Sequence, residues 1–82
     1  MINFKVKMKK AIIRYCVIWN YKPRAAGLAD RLKEKYNIQT SIIEGIKGQF
    51  DIEIDGVLIF SKVKEGRFPE IKEIFAIMDK IY

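Results

Sequence analysis

The sequence has no histidine, one cysteine and two prolines. Without histidine, and with one thiol, a zinc centre has too few suitable ligands and no disulfide framework can form within the chain. A lone cysteine fits a reducing compartment. No apolar run approaches the roughly 20 residues that span a bilayer. The N-terminus also lacks the apolar core and small-residue cleavage site of a signal peptide, so the expected location is cytoplasmic. Acid is missing from residues 1–24, which carry Lys5, Lys7, Lys9, Lys10, Arg14, Lys22 and Arg24, whereas the remainder is close to neutral. The bland reading of this basic end is a solubilising surface. The functional reading is attraction of nucleic acid or an acidic partner.

What is present suits one small folded unit. The chain has 82 residues, half of them apolar, enough for a single modest core. Ile2, Phe4, Val6 and Met8 alternate with Asn3, Lys5 and Lys7, which is the period of a strand. Because Met8-Lys9-Lys10 also reads as an ordinary start, residues 1–8 are taken as an N-terminal extension or extra strand and residues 9–82 as the domain. Residues 11–15 form the first firm strand, with Cys16 at or just past its end. Pro23 suits the first turn of a helix, and Ala25, Leu28, Ala29, Leu32 and Tyr36 then recur with helical spacing over residues 22–36, up to Asn37.

Residues 38–44 read as the second strand, followed by a loop marked by Gly45, Lys47 and Gly48. Phe50, Ile52 and Ile54 alternate with Asp51, Glu53 and Asp55, giving a third strand with one core face and one wet face. Asp55-Gly56 is a two-residue hairpin signal leading into a fourth strand at residues 57–60. Residues 62–67 read as a charged loop. Pro69 then opens a second helix whose Ile71, Ile74, Phe75, Met78 and Ile81 form the apolar stripe. The order β-α-β-β-β-α implies an α/β fold: a four-stranded mixed sheet with the hairpin antiparallel beside the first strand, and two helices. The end of strand one and the start of helix one should meet at the carboxyl edge, where such folds place their chemistry.

This order, with a cysteine between the first strand and the first helix, resembles a minimal thioredoxin-like fold. More narrowly it resembles the Rdx family, which includes selenoproteins W, T and H and their cysteine-containing relatives. The carriers are Tyr15-Cys16, Arg24-Ala25, Glu44, Gly45, Gly48, Phe50-Asp51-Ile52, Asp55-Gly56, Ile59-Phe60-Ser61-Lys62, and Gly66 before Phe68-Pro69. The resemblance implies thiol redox exchange and a Cys-x-x-Cys or Cys-x-x-selenocysteine motif. Cys16 falls on its first position, but Trp19 occupies the second. A cycle in which one sulfur attacks and the other resolves is therefore closed to the monomer.

What remains is a monothiol reaction. Cys16 is the candidate nucleophile, and Trp19, Lys22 and Arg24 are its supporting residues. Cys16 would be exposed beside the helix start, whose free N–H groups and the nearby cations favour a thiolate. The competing reading is an inert, partly buried small hydrophobe. No cofactor is expected; glutathione or another small thiol would serve as co-substrate, or an unidentified protein thiol as partner. The chain would be a monomer or weak dimer. Trp19 would pack over the thiol, act as an aromatic anchor for a partner, or fill core space beside Tyr21. Since UGA and UGG differ by one base, the genomic codon for residue 19 decides whether a selenocysteine underlies it.

Two further candidates are weaker. Asp51, Glu53 and Asp55 suggest a cation site only until the ordinary solvated strand face is considered. Tyr15, Trp19 and Tyr21, interleaved with Arg14, Lys22 and Arg24, would suit single-stranded nucleic acid, but no recognised binding motif accompanies them. The alternative to a redox protein is a catalytically degenerate interaction module, with the turn around Trp19 and the basic surface as its binding face.

Overall fold

The computed structural model describes residues 9–81; the alternating segment at residues 1–8 lies outside them. The chain runs β1 (Lys10–Cys16), α1 (Lys22–Tyr36), β2 (Gln39–Gly45), β3 (Phe50–Ile54), β4 (Val57–Ser61), α2 (Lys62–Glu65) and α3 (Ile71–Ile81). The sheet order is β2-β1-β3-β4, with β1 and β2 parallel and the other pairs antiparallel. This is the mixed thioredoxin-like sheet that the element order implies. The β3–β4 hairpin turns at Asp55 and Gly56, both with positive φ (51° and 85°), as the Asp-Gly pair requires. A bulge after Ile52 moves its pairing from Phe60 to Leu58 at Glu53.

Alternation along the strands sets the core. Ala11, Ile13 and Tyr15 of β1, with Phe50, Ile52 and Ile54 of β3, are buried against Ala25, Leu28, Ala29 and Leu32 of α1 and Ile74 and Met78 of α3. Both long helices therefore pack on one face of the sheet. Ile12, Arg14, Asp51 and Glu53 turn to the other face and stay half-buried, with Arg14 Nε donating to Glu53 Oε2 at 3.1 Å. Helix α1 ends at Asn37, which takes the left-handed conformation and returns its N–H to the Lys33 carbonyl. No helix among the described residues is long and apolar enough to cross a membrane.

The C-terminal third differs from the expected charged loop and simple helix. Ser61 accepts from the Lys64 N–H and starts a single turn, α2, which Gly66 closes in the left-handed conformation. Four charged or β-branched residues carry little helical pattern, so a capped turn of this length has no periodic signature. Helix α3 begins at Ile71 rather than Pro69, and Ile81 is exposed rather than part of the buried stripe. Arg67 bridges the loop to α3 by pairing both guanidinium nitrogens with the Glu73 carboxylate, at 2.6 and 2.9 Å. That bond, together with the Glu70 N–H, lowers the Glu73 carboxyl to about 2.

The two long helices are tied at their far ends by Tyr36. Its hydroxyl lies 2.6 Å from Asp79 Oδ1 and 3.1 Å from the Phe75 carbonyl, and its ring meets Phe75 edge-on. Desolvation first, then the hydrogen bond to Asp79 and its charge, push the phenol up to about 12. Raised from its ordinary value of 10.0, this group contributes stability that is complete below pH 10 and lost as pH rises through about 12. Tyr36→Phe is expected to cost about 1–2 kcal/mol at neutral pH in urea unfolding. It should also remove a tyrosinate step near pH 12 from an ultraviolet titration. A titration unchanged by the substitution would sink this assignment.

Candidate functional site

The expected meeting of the β1 end and the α1 start forms, but its thiol is closed. Strand β1 runs to Cys16, whose N–H donates to the Gln49 carbonyl at 2.8 Å and whose carbonyl accepts from Tyr21 at 3.1 Å. These bonds clamp the strand end between the β2–β3 loop and the start of α1. Between them the chain makes a tight turn, with the Asn20 N–H donating to the Val17 carbonyl at 2.9 Å and Asn20 itself at φ 58°. Asparagine tolerates that conformation better than most residues.

Cys16 is 0% exposed, contrary to the expectation of an open thiol. Strand alternation explains part of this. Tyr15 enters the helix-covered core, so Cys16 turns to the opposite side, and the 17–20 turn folds back over it. The Trp19 N–H reaches Sγ at 3.3 Å. That donor belongs to the turn and not to the helix. In the first turn of α1, Pro23 has no N–H, and those of Arg24 and Ala25 both donate to the Tyr21 carbonyl.

The structure thus brings Trp19 to Cys16 and carries the Arg24 guanidinium to Phe68. Neither Lys22 nor Arg24 hydrogen-bonds the sulfur, and the Arg24 guanidinium lies 4.0 Å above the Phe68 ring. Trp19 is 50% exposed, so it is not core filler. Its ring meets Tyr21 edge-on at 6.0 Å and lies against Gly48, where a Cβ would come within 3.3 Å of it. Lys47 sits over the same ring at 5.7 Å. Because Gly48 also has φ 78°, a side chain there would be strained as well as crowded.

Several participants had no signal in the sequence. Gln49 links the loop to the sheet, accepting from the Ile46 N–H and donating to Asp51 Oδ2, each at 2.9 Å. Val17, Ile18 and Ile46 join Trp19 as exposed apolar side chains, Ile18 and Ile46 at 73% and 75%. A loop after Cys16 and another around Gly45 and Gly48 were expected, but loop composition does not say which way an apolar side chain points, and only the fold shows these exposed.

The two weaker candidates separate. Tyr15 is 3% exposed and cannot stack on a base. Asp51, Glu53 and Asp55 each have their own partner, in Gln49, Arg14 and the Lys10 N–H respectively. No group of three His, Cys, Asp or Glu among the described residues could hold a metal ion.

Comparison with known proteins agrees with this architecture. The model of the Rdx family matches residues 10–80. The chain is 35% identical over 66 residues to migration and invasion enhancer 1 of Bos taurus, and 36% identical over 64 residues to that of Mus musculus. The matched parts cover 79% and 77% of this chain but 57% and 56% of those relatives' lengths. Among solved structures, a selenoprotein W-related protein from Vibrio cholerae superposes with a TM-score of 0.77 at 30% identity, over 80% of this chain and 86% of that one. A protein from Bordetella parapertussis superposes with a TM-score of 0.75 at 26% identity, over 80% and 87%.

Proposed function

The chain belongs to the Rdx family, and from that membership we propose that it is a thioredoxin-like redox protein reduced to one gated thiol. Cys16 exchanges with a disulfide when the 17–20 turn lifts, and is sheltered otherwise. The supporting observation is the sealed sulfur under a short turn held by three hydrogen bonds, Trp19 N–H to Sγ, Asn20 N–H to Val17 and Tyr21 N–H to Cys16, and by the Trp19 ring against Gly48 and Tyr21. Opening such a turn costs far less than unfolding the domain. In the exchange, the Cys16 thiol loses its proton to solvent and the thiolate attacks one sulfur of oxidised glutathione. A mixed disulfide forms and one glutathione thiolate leaves. The thiolate of a different external thiol then attacks the glutathione sulfur of the mixed disulfide, so that the Cys16 thiolate leaves and the glutathionyl group passes to that thiol.

A second reading is favoured by one specific observation. Val17, Ile18, Trp19 and Ile46 make an exposed apolar surface around the closed thiol, the kind of anchor a protein partner buries. On that reading the corner binds, and Cys16 packs.

Mass spectrometry after exposure to oxidised glutathione near neutral pH separates the two. The gated thiol should gain one glutathionyl group in the native protein, reversibly, and the Cys16→Ser variant should gain none. Tyr36→Phe supplies the control. It lowers global stability from the far end of α1, about 21 Å along the helix from the turn. Its rate of modification should match that of the parent protein if opening is local. A rate that rises in proportion to the lost stability would mean that Cys16 reacts only through global unfolding, and would overturn the gated thiol.

A further inference from the structure

A second feature lies away from the thiol, in a groove of about 460 Å³ between α1 and the start of α3. That volume falls within the range of small-molecule sites. Its floor is the buried pair Phe50 and Ile74, and Phe68 and Pro69 wall one side. The α1 side is formed by Arg24, Gly27, Leu28 and Arg31, spaced i, i+3, i+4 and i+7, which is one face of a helix. The Cα atoms of the two arginines therefore stand about 10 Å apart along the helix, and both side chains line the groove with its apolar residues.

Two observations make this more than an apolar crevice. First, neither Arg24 nor Arg31 pairs with a carboxylate among the described residues. Arg24 lies over the Phe68 ring at 4.0 Å and Arg31 over the Phe75 ring at 6.0 Å. By contrast Arg14 and Arg67 are both paired. Second, Gly27 is exposed in the middle of α1, where glycine weakens a helix by about 1 kcal/mol relative to alanine. Packing does not require it, since an added Cβ would meet nothing within 4 Å. What its missing side chain does is keep the groove open between the two arginines. Asp30 also lines the groove. Its charge leaves the mouth with a net positive balance and disfavours a ligand carrying acid along its whole length.

We propose that this groove binds a small amphipathic carboxylate, with the apolar body on Phe50, Phe68 and Ile74 and the carboxylate at Arg24 or Arg31. Guanidinium suits a carboxylate because its planar fork donates two parallel hydrogen bonds. The buried floor of Phe50 and Ile74 supplies the burial that the apolar part needs.

Sodium decanoate, kept below its micellar concentration, is the probe, and amide chemical shifts of the labelled full chain are the readout. Saturable shifts should cluster at Gly27, Leu28 and Ile71. The affinity should fall about tenfold or more in Arg24→Gln/Arg31→Gln. Gly27→Trp should abolish binding by filling the groove while leaving the circular dichroism spectrum unchanged. Decanol should bind more weakly than decanoate in the parent protein. Decanol binding equal to decanoate, undiminished binding in the folded Gly27→Trp variant, or shifts centred on the 17–20 turn would each overturn the proposal. So would saturable occupancy of the groove by an acidic peptide with none by decanoate.

Discussion

Trp19→Cys is expected to restore an internal disulfide in the monomer. The Trp19 N–H already lies 3.3 Å from Cys16 Sγ, so residue 19 begins beside the sulfur without movement of the turn. The spacing is that of the Cys-x-x-Cys redox corner, whose pairs span roughly −270 to −120 mV, a range that mild oxidants reach. The expected product has lost two hydrogens by intact mass and has no titratable thiol. Reactivity should change as well. Residue 19 is half exposed where Cys16 is sealed, so the new thiol would attack oxidised glutathione directly and Cys16 would resolve the mixed disulfide. The double variant Cys16→Ser/Trp19→Cys should stop at the mixed disulfide. If both thiols stay free under mild oxidation while the domain remains folded, the placement of the corner is wrong.

Phe50→Ala is expected to be the most destabilising single truncation at the groove. Phe50 is 1% exposed, pairs with Tyr15 across β3 and β1, and meets the Tyr21 and Phe68 rings edge-on at 6.4 and 5.3 Å. Removing a buried phenyl ring costs about 3–5 kcal/mol. For a domain this small that is a large fraction of a total on the order of 4–12 kcal/mol. Urea midpoints would show it directly. Ile18→Ala provides the contrast, because Ile18 is 73% exposed and its loss should change stability by less than about 0.5 kcal/mol. A cost for Phe50→Ala below about 1.5 kcal/mol would contradict the packing described.

Phe50 also connects the Cys16 corner with the groove. Trp19 touches Tyr21, Tyr21 lies 4.7 Å from Phe68, and Phe68 walls the groove. Lys62 sits over both Tyr21 and Phe68, at 5.6 and 5.2 Å. An aromatic cluster thus runs from the turn over Cys16 to the space between the helices. The sequence suggested only the Trp19–Tyr21 neighbourhood; Phe50 and Phe68 join it from as far as 49 positions away.

Where hydrophobic spacing is periodic, the sequence was a dependable guide. The stripe through Ala25, Leu28, Ala29 and Leu32 is buried, and the alternation at residues 50–55 buries Phe50, Ile52 and Ile54. The Asp55-Gly56 turn and the left-handed cap at Asn37 also fall where their residue types require. Such features are local: period, cap and turn chemistry act within a few residues, and the short connections leave little choice of topology. The resemblance carried by Cys16, Gly45, Gly48 and Phe68-Pro69 narrowed the remainder to one family.

The turn at Cys16 depended on the third dimension. Nothing within residues 16–20 says whether the sulfur faces water, because that is decided by bonds to Gln49 and Tyr21 and by Trp19 resting on Gly48. Lys22 and Arg24 are near Cys16 in sequence, yet α1 carries Arg24 to Phe68, 44 positions away. Spacing along a chain specifies which residues share an element. Solvent access and the direction of a charge arise only when separate elements pack, and here that packing closed the thiol and opened a groove between two arginines.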